Sequence, residues 1–235
     1  MTSNSTPRST PNPEFARRSL TLSLLRRVAW TLRSPSYDFA KRAIDVVASA
    51  LLLMLFAPFG LLVALAIRAE SRGSVLFAQT RVGLRGRTFT CWKFRSMYED
   101  AEERRAALEK EAEMSGGIRF KMARDPRITR VGRVIRKLSI DEMPQLWNVL
   151  VGDMSLVGPR PPIPKEVAQY TLSDRLRLAV IPGITCIWQV SGRSDIPFET
   201  QVLMDRSYVE TQSLRLDLSL LVRTVPAVIF GRGAY

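Results

Sequence analysis

Histidine is absent from the chain. Its absence removes every imidazole base, including Ser-His-Asp and Cys-His sites, and every histidine-ligated metal. Cysteine is scarce: Cys91 and Cys186 stand far apart in sequence. Two such thiols do not make a zinc site alone or suggest a disulfide framework. A reducing, cytoplasmic setting fits them best. Neither G-x-x-x-x-G-K-[ST] nor G-x-G-x-x-G occurs, which disfavours P-loop and dinucleotide enzymes. Acid–base work is left to Asp, Glu, Lys or Tyr. Any resident metal should be a hard, oxygen-bound ion such as Mg²⁺.

Acidic residues are also short, 22 against 35 Lys and Arg, giving a formal charge of +13. The partner of such a chain is anionic: nucleic acid, a membrane surface or a phosphorylated small molecule. At 235 residues and 46% hydrophobic, the chain can build one good core with room for an appendage.

Residues 1–13 are polar and proline-rich, the composition of a disordered tail, and no signal-peptide core follows them. Residues 16–33 alternate basic pairs with Leu20, Leu22, Leu24, Leu25, Val28, Trp30 and Leu32. A membrane-surface helix and an ordinary packed helix both explain that pattern. Residues 46–67 carry no charge. As a straight helix they would reach about 33 Å, enough to cross the hydrocarbon core. Two features argue against a simple span. Pro58 sits near the middle and removes a backbone donor. Both flanks are basic, with Arg33, Lys41 and Arg42 before and Arg68, Arg72 and Arg81 after, so the usual charge asymmetry is missing. A helix that enters, bends at Pro58 and returns satisfies both features, although spanning helices also tolerate proline.

"SVLFAQ" and "RTFTCWKF", joined through "RVGLRG", predict a hairpin over 74–94. Residues 98–114 predict a solvated charged helix ended by Ser115-Gly116-Gly117. Val131, Val134, Ile135 and Leu138 make a helical apolar stripe, with Thr129 as N-cap. Arg124, Arg127, Arg130, Arg133 and Arg136 recur every third residue. Most of these should be a solvated face, but Arg136 lies five residues before Asp141. Residues 163–180, 198–212 and 214–229 are further helix candidates.

Asp141 and Glu142 are adjacent acids in this cationic surround. Ser139-Ile140-Asp141-Glu142 fits an S-x-x-E capping box, or Pro144 opens the next helix with the acids just before it. The same place suits chemistry. Arginines and a helix N-terminus keep a carboxylate ionised and bind phosphate, which a carboxylate nucleophile at phosphorus requires.

The ordered motifs "KRAID", "LFAQTRVGLRGRTFTCWKFRSM", "DPRITRVGRVIRKLSIDEMPQLWNVLVGDMSLVGPRP", "PGITCIWQVSGR" and "SLRLDL" cover the chain from about Asp38 to Tyr235. In them the chain resembles the bacterial sugar transferases, the monotopic phosphoglycosyl transferases. The implied activity moves a sugar 1-phosphate from a UDP-sugar to undecaprenyl phosphate and releases UMP. It initiates bacterial surface or exopolysaccharide assembly on the cytoplasmic face of the inner membrane, among membrane lipids. The implied fold is α+β, mainly helical with a small β hairpin or sheet. It is a monotopic membrane protein with a re-entrant helix broken at Pro58 and interfacial amphipathic helices. Residues 1–37 would be the tail with its amphipathic helix, 38–72 the re-entrant helix and 73–235 the cytoplasmic catalytic domain.

By the same resemblance Asp141 is the nucleophile, and Glu142 helps to hold Mg²⁺ and assists deprotonation. Lys93, Arg136, Arg160 and Arg193 form a cationic set, Gly158 and Pro159 shape a phosphate pocket, and Asp217 is a further acid of the site. Ala57 precedes Pro58 where some relatives carry serine, and Cys186-Ile187-Trp188-Gln189 departs from the common pattern. The sugar therefore does not follow by analogy, beyond a hexose being expected over a diacetamido sugar, and homo-oligomer formation is left open. No nucleic acid is expected as partner. Charge alone also permits a non-catalytic protein that binds nucleic acid or anionic lipid, but that reading needs neither Asp141 nor Glu142.

Overall fold

The computed structural model describes residues 35–101, 103 and 125–230, without the side chains of Ser194 and Phe230. The expected tail and amphipathic helix within 1–33, and most of the charged helix of 98–114, lie outside the described residues. The chain divides into two units, Met1–Asp38 and Phe39–Tyr235; only residues 35–38 of the first are described.

The first helix, α1, runs Pro35–Glu70. Its 36 residues amount to about 54 Å at helical rise. Proline is tolerated at its first position, where the missing N–H would have no partner. Pro58 lies inside the continuous helix, so helical structure carries across this residue instead of stopping at it. Apart from buried Val63 and Ile67, the burial of α1 is inverted. Leu51, Met54, Leu55, Leu61, Leu62 and Leu65 are exposed, while Asp45 and Ser49 are buried. A helix that hides polar residues and shows apolar ones is not the core helix of a water-soluble fold. It is long and apolar enough to cross a membrane, which points to a membrane-associated protein.

The polar residues of α1 are satisfied by distant parts of the chain. Lys41 Nζ donates to Asp217 Oδ2 at 2.7 Å and to the Val157 carbonyl at 3.0 Å. Arg42 donates to the Val149 and Leu150 carbonyls at 2.6 and 2.8 Å. Asp45 accepts from the Leu156 amide at 2.9 Å.

Strands β1 (Leu76–Val82) and β2 (Thr88–Phe94) pair antiparallel, Leu76 opposite Phe94 and Val82 opposite Thr88, which is the expected hairpin. A short 3₁₀ turn, Leu84–Gly86, closes it with Arg85 and Gly86 at positive φ. Helix α2 (Arg130–Lys137) starts where expected: the Thr129 side chain accepts from the Gly132 amide. Its stripe is only half used, because Ile135 is buried but Val134 and Leu138 are exposed. Arg130 and Arg133 are exposed as expected of a solvated face, whereas Arg127 is buried and paired with Asp125 at 2.7 Å. That arginine is a correction: proximity in sequence supplies the acid that pulls it inside.

Helix α3 (Gln145–Val151) ends at Gly152 in the left-handed region. Strands β3 (Ser155–Val157) and β4 (Gly183–Thr185) pair parallel, Ser155 opposite Gly183. The helix expected over 163–180 is split into α4 (Pro164–Ala168) and a 3₁₀ segment, Asp174–Ala179. Helices α5 (Phe198–Thr211) and α6 (Leu214–Phe230) match expectation. Among the described residues the fold is thus mainly helical with two small two-stranded sheets. The larger core joins Cys91, Leu146, Val149, Met154, Leu156, Val157, Tyr208 and Leu220; a smaller one joins Val63 and Ile67 of α1 to Ile135 of α2.

Candidate active site

Between α2 and α3 the chain makes a single 3₁₀ turn, Ile140–Glu142, entered through Ser139 at φ 56°. The capping box does not form. Ser139 makes no side-chain cap bond, and Glu142 turns instead to two cations. Lys93 Nζ from β2 donates to Glu142 Oε1 at 2.6 Å, and Arg160 Nη1 reaches the same oxygen at 3.4 Å. Pro144 is the N-cap of α3, in helical geometry, one residue before the first helical position that the alternative reading gave it.

The two acids are shifted in opposite directions. Burial would raise the Glu142 pKa, but Lys93, Arg160 and Arg81 outweigh it and bring it down to about 2. Asp141 goes the other way, up to about 6: burial leads and the Glu142 charge adds to it, against the pull of Lys93, Arg136 and Arg160. The nearby cations thus outweigh burial at Glu142 but not at Asp141, which at about 6 is still largely ionised at neutral pH.

Arg193 sits at φ 52° and its Nη2 donates to Ser139 Oγ at 3.4 Å, so it reaches the same turn; burial lowers its pKa. Gly158 passes so close to β4 that an added Cβ would fall 2.5 Å from the Ile181 carbonyl. Its amide donates to the Thr185 carbonyl at 3.0 Å, and the Pro159 carbonyl accepts from Gly183 at 2.9 Å. Asp217 is set in a clamp, bonded by Lys41 at 2.7 Å and by the Tyr208 hydroxyl at 2.7 Å. Pro58 belongs to α1, and its neighbours Phe56, Ala57, Phe59 and Gly60 line the groove described next.

That groove has a volume of about 470 Å³ and an almost wholly apolar lining, in which Leu53 and Phe56 of α1 face Trp92, Ile140, Met143 and Trp147. Ile140, Met143 and Pro144 of its lining flank the acidic pair in sequence.

The sequence places Arg81 only among the basic flanks of the apolar segment, whereas the structure brings its charge close to Glu142 and Arg160. Burial and the neighbouring Arg160 charge push its pKa down to about 10, and Glu142 acts against that shift. The signal was in the hairpin register. Arg81 faces Phe89 and Phe77 faces Lys93, so a period of two places Arg81 and Lys93 on one face.

The family model described as "Bacterial sugar transferase" matches residues 36–231. The chain belongs to this family of transferases. It is 41% identical over 207 residues to the "Exopolysaccharide production protein ExoY" of Rhizobium meliloti, covering 86% of this chain and 90% of that one. It is 39% identical over 223 residues to the "Undecaprenyl-phosphate galactose phosphotransferase" of Salmonella typhimurium, covering 90% of this chain and 45% of that one. It is 44% identical over 208 residues to the "Undecaprenyl-phosphate glucose phosphotransferase" of Komagataeibacter xylinus, covering 83% and 37%. The chain thus matches less than half the length of the latter two.

Proposed function

We propose that this enzyme moves a sugar 1-phosphate from a UDP-sugar to undecaprenyl phosphate, releases UMP, and so starts assembly of a surface polysaccharide. The observation that carries the reading is residues 140–144, with Asp141 and Glu142 among Lys93, Arg136 and Arg160 and Ile140 and Met143 in an apolar groove. A charged donor and a lipid acceptor can meet at one place.

The reaction has two displacements. An Asp141 carboxylate oxygen attacks the phosphorus next to the sugar. The bond to UMP breaks and UMP leaves with the electron pair. An oxygen of undecaprenyl phosphate then attacks the aspartyl phosphosugar. The Asp141–phosphorus bond breaks and the free carboxylate returns. A pKa of about 6 suits the first step, since the group is mostly ionised near pH 7.5 yet more basic than an ordinary aspartate. Glu142, its pKa held at about 2 by Lys93, Arg160 and Arg81, is too weak a base for the deprotonation role implied by the resemblance; its part is to anchor Lys93 and Arg160. Lys93, Arg136, Arg160 and Arg193 offset phosphate charge, and the backbone at Gly158 and Pro159 shapes the pocket beside them.

Among the described residues no group of three or more His, Cys, Asp or Glu gathers, but Mg²⁺ needs only one or two carboxylates plus substrate phosphates. The adjacent acids fit that need. Lys93 and Arg160 both engage Oε1 of Glu142, so Oε2 is the oxygen that would hold the ion. Bound there, Mg²⁺ would neutralise diphosphate charge.

The membrane reading is monotopic. The helix α1 enters from the cytoplasmic face, bends at Pro58 and returns, with residues 73–235 forming the cytoplasmic catalytic part on the inner membrane. With Ala40→Cys or Arg72→Cys, a membrane-impermeant thiol reagent added outside the cell should label neither end; labelling of one end only would establish a span.

The enzymatic test supplies detergent-solubilised protein with Mg²⁺, undecaprenyl phosphate and a panel of UDP-sugars, and measures UMP. Without lipid, the peptide containing Asp141 should gain the mass of a sugar phosphate. An adduct mapped elsewhere would overturn the assignment.

A further inference from the structure

Residues 158–164 read Gly-Pro-Arg-Pro-Pro-Ile-Pro. A segment with four prolines has few amides with which to build its own ladder. Its carbonyls are held from outside instead. The Pro159 carbonyl accepts from the Gly183 amide at 2.9 Å, and Pro162 from the Val82 amide at 2.9 Å. The Pro161 carbonyl accepts from Arg81 Nη1 at 2.8 Å. Between them, the Arg160 carbonyl accepts a long bond from Arg177 Nη2 at 3.4 Å.

Arg177 lies in the segment Asp174–Ala179 and is almost wholly buried. Its side chain is 1% exposed, and that of its partner Asp205 on α5 is 0% exposed. The guanidinium also donates to the Tyr170 hydroxyl at 2.9 Å, and its carbon lies 5.6 Å from the centre of the Tyr170 ring. A buried ion pair is a poor device for stability alone, because an apolar pair of similar volume commonly serves as well or better. An apolar pair cannot, however, aim a donor at the backbone of the residue whose side chain reaches Glu142.

We propose that Arg177, oriented by Asp205 and Tyr170, is a positioning residue: it fixes the backbone of Arg160 so that the Arg160 guanidinium lies beside the acidic pair. The pair works through the loop and not on the substrate. This inference rests on the role given to Arg160 above.

The test replaces the ion pair by apolar residues, Arg177→Met with Asp205→Leu, in the full chain. It uses undecaprenyl phosphate and whichever UDP-sugar of the panel releases UMP. Thermal unfolding should stay close to the parent. Because a misplacement of about 1 Å can cost about 100-fold, kcat should fall roughly 10- to 100-fold, with the KM for the UDP-sugar changing less than about 3-fold. Added to Arg160→Ala, the replacement should cause no further loss, since residues acting as one unit are not additive. Multiplying effects would mark the pair as merely structural and overturn the proposal, as would an unchanged kcat. If the replaced protein does not fold, Tyr170→Phe takes its place, with a several-fold loss expected that again vanishes in Arg160→Ala. Additive behaviour of that variant would also overturn the proposal. If Arg160→Ala alone leaves turnover intact, the catalytic role of Arg160 fails first and the positioning proposal with it; loss in Arg160→Ala without loss on pair replacement defeats the positioning proposal alone.

Discussion

Residues 140–144 face two unlike regions. On one side Ile140, Met143 and Pro144 line an apolar groove against α1. On the other, Glu142 is bonded by Lys93 and Arg160, and Asp141 feels Lys93, Arg136 and Arg160. Local geometry sorts them. A 3₁₀ turn has three residues per turn, so side chains three apart lie in line, which places Ile140 and Met143 together and leaves the acids elsewhere. An α-helical cap would have spent the acids on backbone amides. Neighbours in sequence are thereby divided between apolar and cationic surroundings.

The comparison breaks most severely at Asp141. Asp141→Asn keeps the shape but removes the proposed nucleophile, so UMP release should fall roughly 10⁴-fold or more and the proposed covalent adduct should not form. Mass spectrometry and circular dichroism would separate that loss from unfolding; near-native turnover would return the acids to a structural role. Next come the arginines. Arg160→Ala or Arg136→Ala should cost about 30- to 1,000-fold in kcat, or roughly 2–4 kcal/mol. Exposed Arg130→Ala should cost no more than about 3-fold. Equal, small effects at all three would reduce the cationic side to a solvated surface.

The apolar side should respond in a different constant. Trp147 lines the groove and is 53% exposed. Trp147→Glu should raise the KM for undecaprenyl phosphate about tenfold, equivalent to about 1.4 kcal/mol, with the loss carried by the acceptor step and not by adduct formation. The smallest effect is a shift in pH dependence. The Asp141 pKa is raised to about 6, so on the proposed mechanism turnover should decline as pH falls through about 6 and Asp141 gains a proton. Lys93 pulls that pKa down, so Lys93→Gln should move this acid limb to higher pH in a kcat–pH profile. A limb that stayed in place would separate Lys93 from the titrating group.

Much of this arrangement was legible in sequence. Alternation and β-branching gave the hairpin, Thr129 gave the start of α2, and the family resemblance named Lys93 and Arg160 beside Asp141 and Glu142. Other features are set by pairings that periodicity does not encode. Arg81 reaches the site only through strand register. Arg177 is held by Asp205, 28 residues away. Val134 and Leu138 fit a core stripe in water, yet they are exposed. The inward polar face of α1 had no local signal either, since its partners come from β3, α3 and α6.

Those partners set a timetable for synthesis. The groups that satisfy Lys41, Arg42 and Asp45 lie 107 to 176 residues further along the chain. At about 5–20 residues per second, α1 waits roughly 5–35 s for them. During that interval its Asp, Lys and Arg would each cost about 2.5–3.5 kcal/mol at the centre of a bilayer. The newborn helix therefore resists sinking whole into lipid, and its polar end stays at the surface until the last helix arrives to receive it.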